Sequence, residues 1–376
     1  MKILQVSKYY PPFFGGLEKV VYDICEAINT DTVSCDVLCS HHENLQPSSN
    51  ESDRGYTVYR QKTYGKALST AFSPGMLYRL WKISPDYDII HIHLPNPMAN
   101  LAAFFIRGNA KIVAHWHCDA DLTGLKKWIA RLYNPIQDRL LARARTIITT
   151  SPKLKAESIY LQNHQEKTEV VPIGINPREF LINDDEVASI RKTYAGKKIM
   201  FSLGRLVTYK GFDALIQAAT QVNDDIVFLI GGIGPEHDNL QSLITEHNVQ
   251  DKVILLGKVP FSSIGNYYKA CDAFCFPSVS CSEAFGVVQI EAMSFGKPII
   301  GTKVKQSGVD WVNVDGETGY NIKPRQIDDI ASAINRLMTD ANLYKTFSEN
   351  AAQRFHNEFT LAKSINSLSD IYQQTI

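Results

Sequence analysis

The chain has 376 residues, of which 44% are hydrophobic and 21% charged, with 39 Lys and Arg against 39 Asp and Glu. That is a soluble composition, long enough for two domains and balanced enough to exclude a globally basic nucleic-acid binder. No apolar run approaches the roughly 20 residues that span a bilayer, which excludes an integral membrane helix.

The opening MKILQVSKYYPP reads as a strand and not as a secretory leader, because its apolar run is short and stops at two prolines. YYPPFFGGLE is a loop, and KVVYDICEAI has Val20, Val21, Ile24 and Ile28 at helical spacing. SCDVLCS, YDIIHIH (Tyr87–His93), AKIVAHWH (Ala110–His117), RTIITTS (Arg145–Ser151) and TEVVPIG (Thr168–Gly174) are further strands. Strands alternating with helices predict a mainly parallel sheet covered on both faces. The pattern then restarts. KKIMFSLGRL, DIVFLIGGIGPE, KVILLGKVP, DAFCFPS and KPIIGTKV are strands, and DALIQAATQV is a helix. The expected organisation is α/β, with doubly wound domains at 1–180 and 181–358. A C-terminal helix in 359–376 can pack on either, the N-terminal domain being the expected one. The seven cysteines do not read as a zinc site. The tightest group, Cys271, Cys275 and Cys281, lacks a C-x₂-C pair and a fourth ligand. Free thiols in a reduced, cytoplasmic protein are expected. Nothing in the sequence sets an oligomeric state.

Ligands of such sheets bind outside the carboxyl ends of the strands. Gly15-Gly16, His91, His93, His117, Gly204-Arg205, Gly231-Gly232 and Glu283 all fall at such ends. SEAFGVVQIEAMSFGKPII predicts a loop carrying Glu283 and a helix that starts at Gly286 and ends at Gly296, with Glu291 one turn in. A helix start exposes unpaired amides that suit a phosphate, and a glycine lets it approach. The two carboxylates can accept from sugar hydroxyls; alternatively Glu283 merely complements the helix dipole. In GRLVTYKG, Arg205 and Lys210 flank a loop after a strand and can grip a diphosphate, or stand as a solvated pair. GGLE, at Gly15–Glu18, offers either a close phosphate approach or a plain turn. IGGIGPE is excluded as a nicotinamide site, because His237 stands where a third glycine belongs.

SEAFGVVQIEA matches the E-x₇-E signature of family-4 retaining glycosyltransferases of the GT-B fold. GRLVTYKG, GGIGPE, PFFGGLE and SPKLKAES resemble that family in order and position, and the likeness spans essentially the whole chain. It implies two Rossmann-like domains facing a central cleft. It assigns the donor diphosphate to Arg205, Lys210 and the backbone of Phe285, Gly286 and Val287, with Gly16 close to the phosphate. Glu291 would hold ribose hydroxyls and Glu283 those of the transferred sugar. Lys258 and Val259 of GKVP (Gly257–Pro260) would line the base pocket through their backbone. HWHCDADLT is similar to the loop in which such enzymes place a histidine beside donor sugar and acceptor, a role that falls to His117 with Asp119 supporting. His115 shares its face by period 2, as do His91 and His93 with each other, and each fits either the cleft wall or a satisfied core. Asp119 and Asp121 form a D-x-D pair of the kind that holds Mn²⁺ or Mg²⁺ in single-sheet glycosyltransferases. Arg205, Lys210 and the helix amides already supply the charge, so no metal or other cofactor is expected.

The resemblance further implies transfer of a sugar from a nucleotide diphosphate with retention at the anomeric carbon. No nucleophile stands out, and the family precedent is same-face attack with the leaving phosphate assisting deprotonation. WHCDAD with SVSCSEAFGVVQIEAM looks most like bacterial mannosyltransferases that use GDP-mannose in polysaccharide assembly; a UDP-sugar is the alternative donor. An epimerase or a non-catalytic sugar-nucleotide binder is a more distant alternative. For the acceptor, LKKWIARLYNPIQDRLLARAR (Leu125–Arg145) sets Lys126, Lys127, Arg131, Arg139, Arg143 and Arg145 against Asp138 alone, with Trp128, Ile129, Leu132 and Tyr133 among them. Joined by MLYRLWKI (Met76–Ile83), this suits either an anionic membrane surface or a solvated helix face. A lipid-diphosphate-linked glycan on the inner face of the membrane fits the first reading.

Overall fold

The computed structural model describes residues 1–13, 15–52, 54–67, 70–119 and 125–376, with backbone alone at 67 and 125–132. The chain forms two compact units, Met1–Ile173 with Leu361–Ile376, and Gly174–Thr360.

The strands of the first unit are β1 (Lys2–Val6), β2 (Ser34–Asn44), β3 (Ser49–Glu51), β4 (Val58–Thr63), β5 (Gly65–Ala67), β6 (Thr70–Phe72), β7 (Ile89–Leu94), β8 (Lys111–Trp116), β9 (Thr146–Thr149) and β10 (Thr168–Val170). Eight of them make one sheet in the order β10-β9-β8-β7-β1-β2-β4-β3, parallel except for β3 on the edge, and β5 and β6 form a separate antiparallel ribbon. Every residue of β7 is buried. Its two faces differ in chemistry, because successive side chains alternate. Ile90, Ile92 and Leu94 join Leu4, Val6, Trp116 and Leu140 in the core on one face. Gln5, His91, His93 and His115 lie on the other, which the helix Leu361–Thr375 reaches through Tyr372. Register places Gln5 beside His91 and His93 beside His115.

The second unit has β11 (Lys198–Leu203), β12 (Ile226–Gly231), β13 (Val253–Gly257), β14 (Ala273–Cys275), β15 (Ile299–Thr302) and β16 (Gly319–Ile322) in the order β13-β12-β11-β14-β15-β16, all pairs parallel. Helices such as Phe212–Ala218 and Ile327–Thr339 pack Leu215, Ile216, Ile334 and Leu337 against the strands. Each unit is thus a doubly wound α/β layer structure. The division falls at 173/174 and 360/361, not at 180/181 and 358/359. Phe180 packs on Phe261, Tyr268 and Phe295, and Phe359 on Phe285 and Trp311. Ile175 N–H donates to the Phe359 carbonyl at 3.0 Å, which pins both ends of the second unit together. Among the described residues no helix is long and apolar enough to cross a membrane.

Candidate active site

In the second unit the chain leaves β11 at Leu203 and turns through Gly204 and Arg205 into a short 3₁₀ turn, Thr208–Lys210. Gly211 closes that turn at φ +70°, and a Cβ there would lie 2.1 Å from the Pro277 carbonyl oxygen. Only glycine therefore lets this turn lie against the exit of β14. Val279 N–H donates to the Tyr209 carbonyl at 2.8 Å and ties the two loops together. The consequence is a contact no local pattern predicts: Lys210 Nζ donates to Glu283 Oε2 in an ion pair that leaves the two side chains 12% and 14% exposed. Phe276 lies under the ammonium, its ring centroid 5.1 Å away. Ser307 Oγ donates to the Glu283 carbonyl and Gly308 N–H to the Ala284 carbonyl, so the loop is held from its far side too. Arg205 is exposed and has no ion-pair partner among the described residues.

Gly286 caps the helix Val287–Ser294 at φ +74°, where a Cβ would meet Gln289 Nε2 at 2.7 Å and the Phe276 ring at 2.9 Å. Among the described residues no side chain caps this helix start; Gln289 N–H turns back to the Gly286 carbonyl at 2.8 Å, and the amides before it are left for water or a ligand. The Phe285 side chain is buried against Trp311 and Phe359, which leaves only its backbone for a ligand. Glu291 accepts from the buried Tyr268 hydroxyl at 2.7 Å. Burial and the adjacent carboxylate push the Tyr268 phenol well above its ordinary range, so it stays a donor. Lys258 and Val259 border a pocket of about 270 Å³ whose other walls include Glu186, Ile190, Ser263 and Tyr267.

In the first unit, Gly16 opens the helix Gly16–Ile28, and a Cβ on it would meet nothing within 4 Å. The carboxylate of Glu18, buried and pushed upward by that burial, accepts from the backbone at Gly15 and at Glu18 itself. A carboxyl group thus already occupies this helix start.

The histidines of β7 and the end of β8 form one buried stack. Ring centroids lie 4.5 Å apart for His91 and His93, 5.3 Å for His93 and His115, and 4.0 Å for His115 and His117. Burial holds all four imidazoles below their ordinary range, with His117 down to about 3, so they are neutral. His93 Nδ1 lies 2.9 Å from His117 Nε2, and His93 Nε2 lies 2.8 Å from Gln5 Oε1. Three ring nitrogens in the cluster, His91 Nε2 and both of His115, have no hydrogen-bond partner among the described residues. His91, His93 and His115 each bring one nitrogen within 4.8 Å of the others. Both His93 nitrogens are already engaged, so metal ligation by that trio would have to break one of its bonds.

Asp119 is buried, and its described bonds do not go to His117. Its Oδ1 accepts from Trp116 Nε1 at 2.8 Å and Ser158 Oγ at 2.6 Å, and its Oδ2 from Ile159 N–H at 3.3 Å. It anchors the loop after β8 to the end of the helix Pro152–Glu157. Asp121 lies outside the described residues, as do the side chains of Lys126, Lys127, Trp128, Ile129, Arg131 and Leu132. Arg139, Arg143 and Arg145 are exposed. Arg143 reaches over the Phe104 ring and Arg107 over Trp81, which stacks on Tyr78. Tyr78, Trp81, Phe104 and Phe105 are all exposed; Arg107 and Arg143 lie over two of these rings, Lys82 follows Trp81 in the chain and is exposed, and Arg79 lies half-buried over Tyr59.

Motif reading missed Gln5, Glu18, Tyr268 and Tyr372. Gln5 alone left a signal, a polar residue inside an apolar strand.

Comparison with known proteins identifies the family and the fold. The model described as "Glycosyltransferase Family 4" matches residues 14–179, and "Glycosyl transferases group 1" matches residues 184–354. The O-antigen chain mannosyltransferase C of Escherichia coli is 29% identical over 374 residues, covering 99% of this chain and 98% of that protein. The D-rhamnosyltransferase WbpZ of Pseudomonas aeruginosa is 25% identical, with 96% of this chain and 92% of that protein covered. Among solved structures, the sucrose-phosphate synthase of Thermosynechococcus elongatus superposes with a TM-score of 0.80 at 22% identity, over 99% and 98% of the two chains. Alr3699/HepE of Anabaena, solved in complex with UDP, superposes with a TM-score of 0.78 at 21% identity over the whole of both. With two family models matching consecutive segments and the fold shared end to end, the chain belongs to the family-4-type glycosyltransferases of GT-B fold.

Proposed function

We propose that the protein is a retaining hexosyltransferase that moves mannose from GDP-mannose to a lipid-linked glycan in polysaccharide assembly such as O-antigen synthesis. The observation that carries the chemistry is the contact of Lys210 with Glu283 next to an uncapped helix start. A diphosphate is an anion with hydroxyl-bearing groups on both sides. Lys210, Arg205 and the amides of 285–287 suit the anion, and Glu283 and Glu291 suit the hydroxyls of the sugar and the ribose. Negative charge grows on the leaving phosphate as the glycosidic bond breaks, and cations already in place lower the barrier. In the ligand-free pair Lys210 is held by Glu283; donor binding would redirect the ammonium to phosphate and free the carboxylate for the sugar. His117, neutral, is assigned an acceptor role toward the transferred sugar. Gly16 is assigned to phosphate approach, which requires Glu18 to swing away. Lys258 and Val259 are assigned to the base pocket. No metal has a part in this scheme.

Mannose as the sugar is supported by the full-length similarity to a mannosyltransferase and, in second place, to a D-rhamnosyltransferase. Rhamnose is 6-deoxymannose, so both names point to the manno configuration. An anionic membrane surface as the docking place of the acceptor is supported by the exposed aromatics Tyr78, Trp81, Phe104 and Phe105 beside Arg79, Lys82, Arg107 and Arg143. The test is a thermal-shift screen against GDP-, UDP-, ADP- and dTDP-sugars with Glu291→Ala as control, followed by NMR of the product anomer. Stabilisation by GDP-mannose that weakens in the variant, and an α-product, are expected. A response to UDP-sugars with none to GDP-mannose would overturn the donor assignment, and a β-product would overturn retention.

A further inference from the structure

The buried histidine stack is wired to the far end of the sequence. Gln5 Nε2 lies 3.0 Å from the Tyr372 hydroxyl and 3.5 Å from Cys35 Sγ, while its Oε1 faces His93 Nε2. The Tyr372 hydroxyl lies 2.5 Å from His91 Nδ1. With Nε2 toward sulfur and phenol both Gln5 amide protons have an acceptor, and with the amide inverted only one has, which sets its orientation.

From that amide every proton follows. Gln5 Oε1 can only accept, so His93 carries its proton on Nε2. His93 Nδ1 is then a lone pair, so His117 must donate to it from Nε2. At the other end, Tyr372 accepts from Gln5 and donates to His91 Nδ1. We propose that Gln5, His93 and Tyr372 are positioning residues that fix the tautomer of His117, with Nε2–H held toward His93 and the Nδ1 lone pair left to meet the substrate. The functional weight of this device rests on the role assigned above to His117; the tautomer itself does not.

The chain has only one other self-consistent state, with every donor and acceptor reversed. Inverting the Gln5 amide forces His93 to the Nδ1–H form, which forces His117 to donate from Nδ1 and turn its acceptor away from the substrate. The Tyr372 hydroxyl opposes this inversion because it accepts the second Gln5 N–H, for which the inverted amide, facing His93 alone, has no acceptor among the described residues. Tyr372→Phe removes it. One Gln5 N–H is then without an acceptor in either orientation, so the preference that the hydroxyl set is lost. The variant is therefore expected to populate the reversed chain beside the present one, without any change near the reacting atoms. A metal held by His91, His93 and His115 is the competing account of the unpartnered nitrogens, and it is incompatible with the chain because His93 has no free lone pair in it.

The experiment is long-range ¹H–¹⁵N NMR of histidine-labelled protein, with steady-state kinetics on the same samples. In the wild type His117 is expected as the Nε2–H tautomer, and finding Nδ1–H overturns the proposal even if no variant folds. In Tyr372→Phe and Gln5→Leu the His117 signals should move to the other tautomer or a mixture. The turnover number should then fall on the order of 10-fold or more while the donor KM stays within about twofold, the pattern of a misplaced group and not of lost binding. Gln5→Glu, an acceptor toward His93 in either orientation, should restore the Nε2–H tautomer. Unchanged tautomers in both disruptive variants, or a stoichiometric divalent metal in the purified protein, would refute the relay. A relay that behaves as described while His117→Ala leaves turnover unaffected would instead remove the role assigned to His117.

Discussion

Four neutral histidines packed in one buried stack make the first unit acid-sensitive in a calculable way. Each has a folded-state pKa below its ordinary value of about 6.5. The unfolded chain therefore binds more protons as the pH falls below that value. Stability that is complete above about pH 7 is lost progressively on the acid side, for His117 down to about pH 3. For a histidine that stays neutral when folded, linkage gives a loss of about 1.4 kcal/mol between pH 7.5 and 5.5, and about 5.5 kcal/mol for the four together. That is comparable to the whole stability of an ordinary domain. Asp119 and Glu18, whose carboxyls burial pushes upward, act in the opposite sense, so a matched variant is needed. His115→Phe keeps an aromatic ring in the stack and removes one titrating group. The assay is urea unfolding followed by tryptophan emission in a Trp311→Phe background, which confines the signal to the tryptophans of the first unit. The difference in unfolding free energy between parent and His115→Phe should move by about 1.4 kcal/mol in favour of the variant from pH 7.5 to 5.5. A difference independent of pH would show that His115 is not held neutral, and the reasoning about the stack would fail.

Lys210→Ala leaves the shielded Glu283 carboxylate without its cation and takes a charge from the proposed diphosphate site; kcat/KM for donor turnover should fall about 10²- to 10³-fold, and a loss below fivefold would remove Lys210 from that role. Tyr268→Phe removes the hydrogen bond from the phenol to the Glu291 carboxylate and should cost about 1–3 kcal/mol of stability in urea unfolding, so an unchanged midpoint would mean that the phenol contributes nothing. In flotation assays, vesicles containing anionic lipid should retain the protein at low salt and release it as salt rises or when Arg79, Lys82 and Arg107 are changed to Glu; equal binding to neutral vesicles would refute an electrostatic contribution.

Much of the architecture was legible from pattern alone. Runs such as DIVFLIG and KIVAHW have the length and β-branching of buried parallel strands, and VVQIEAMS has helical spacing up to a terminal glycine, so hydrophobic burial by itself selects these elements. Gly286 marked a helix start that a side chain would block. The division between the units was harder to place. The segment 174–180 has no regular periodicity, and its allegiance is decided by where Phe180 finds aromatic partners.

What the sequence by itself determined was the order and type of the elements and which residues stand at strand ends, because alternation and helical period are local properties. It placed His91 with His93 and His115 with His117 on common faces, yet left open whether those faces were core or cleft. Tertiary structure alone joined the two pairs, since β7 and β8 become neighbours only in the sheet. It also brought Lys210 to Glu283 and Tyr372 to His91, partners far apart in the chain. Contacts of that kind leave no periodic trace, because they depend on strand order and on which helix returns to cover which face. The proton directions in the buried relay belong to the same class: they are set by the fold that gathers Gln5, Cys35, His93 and Tyr372 in one dry place.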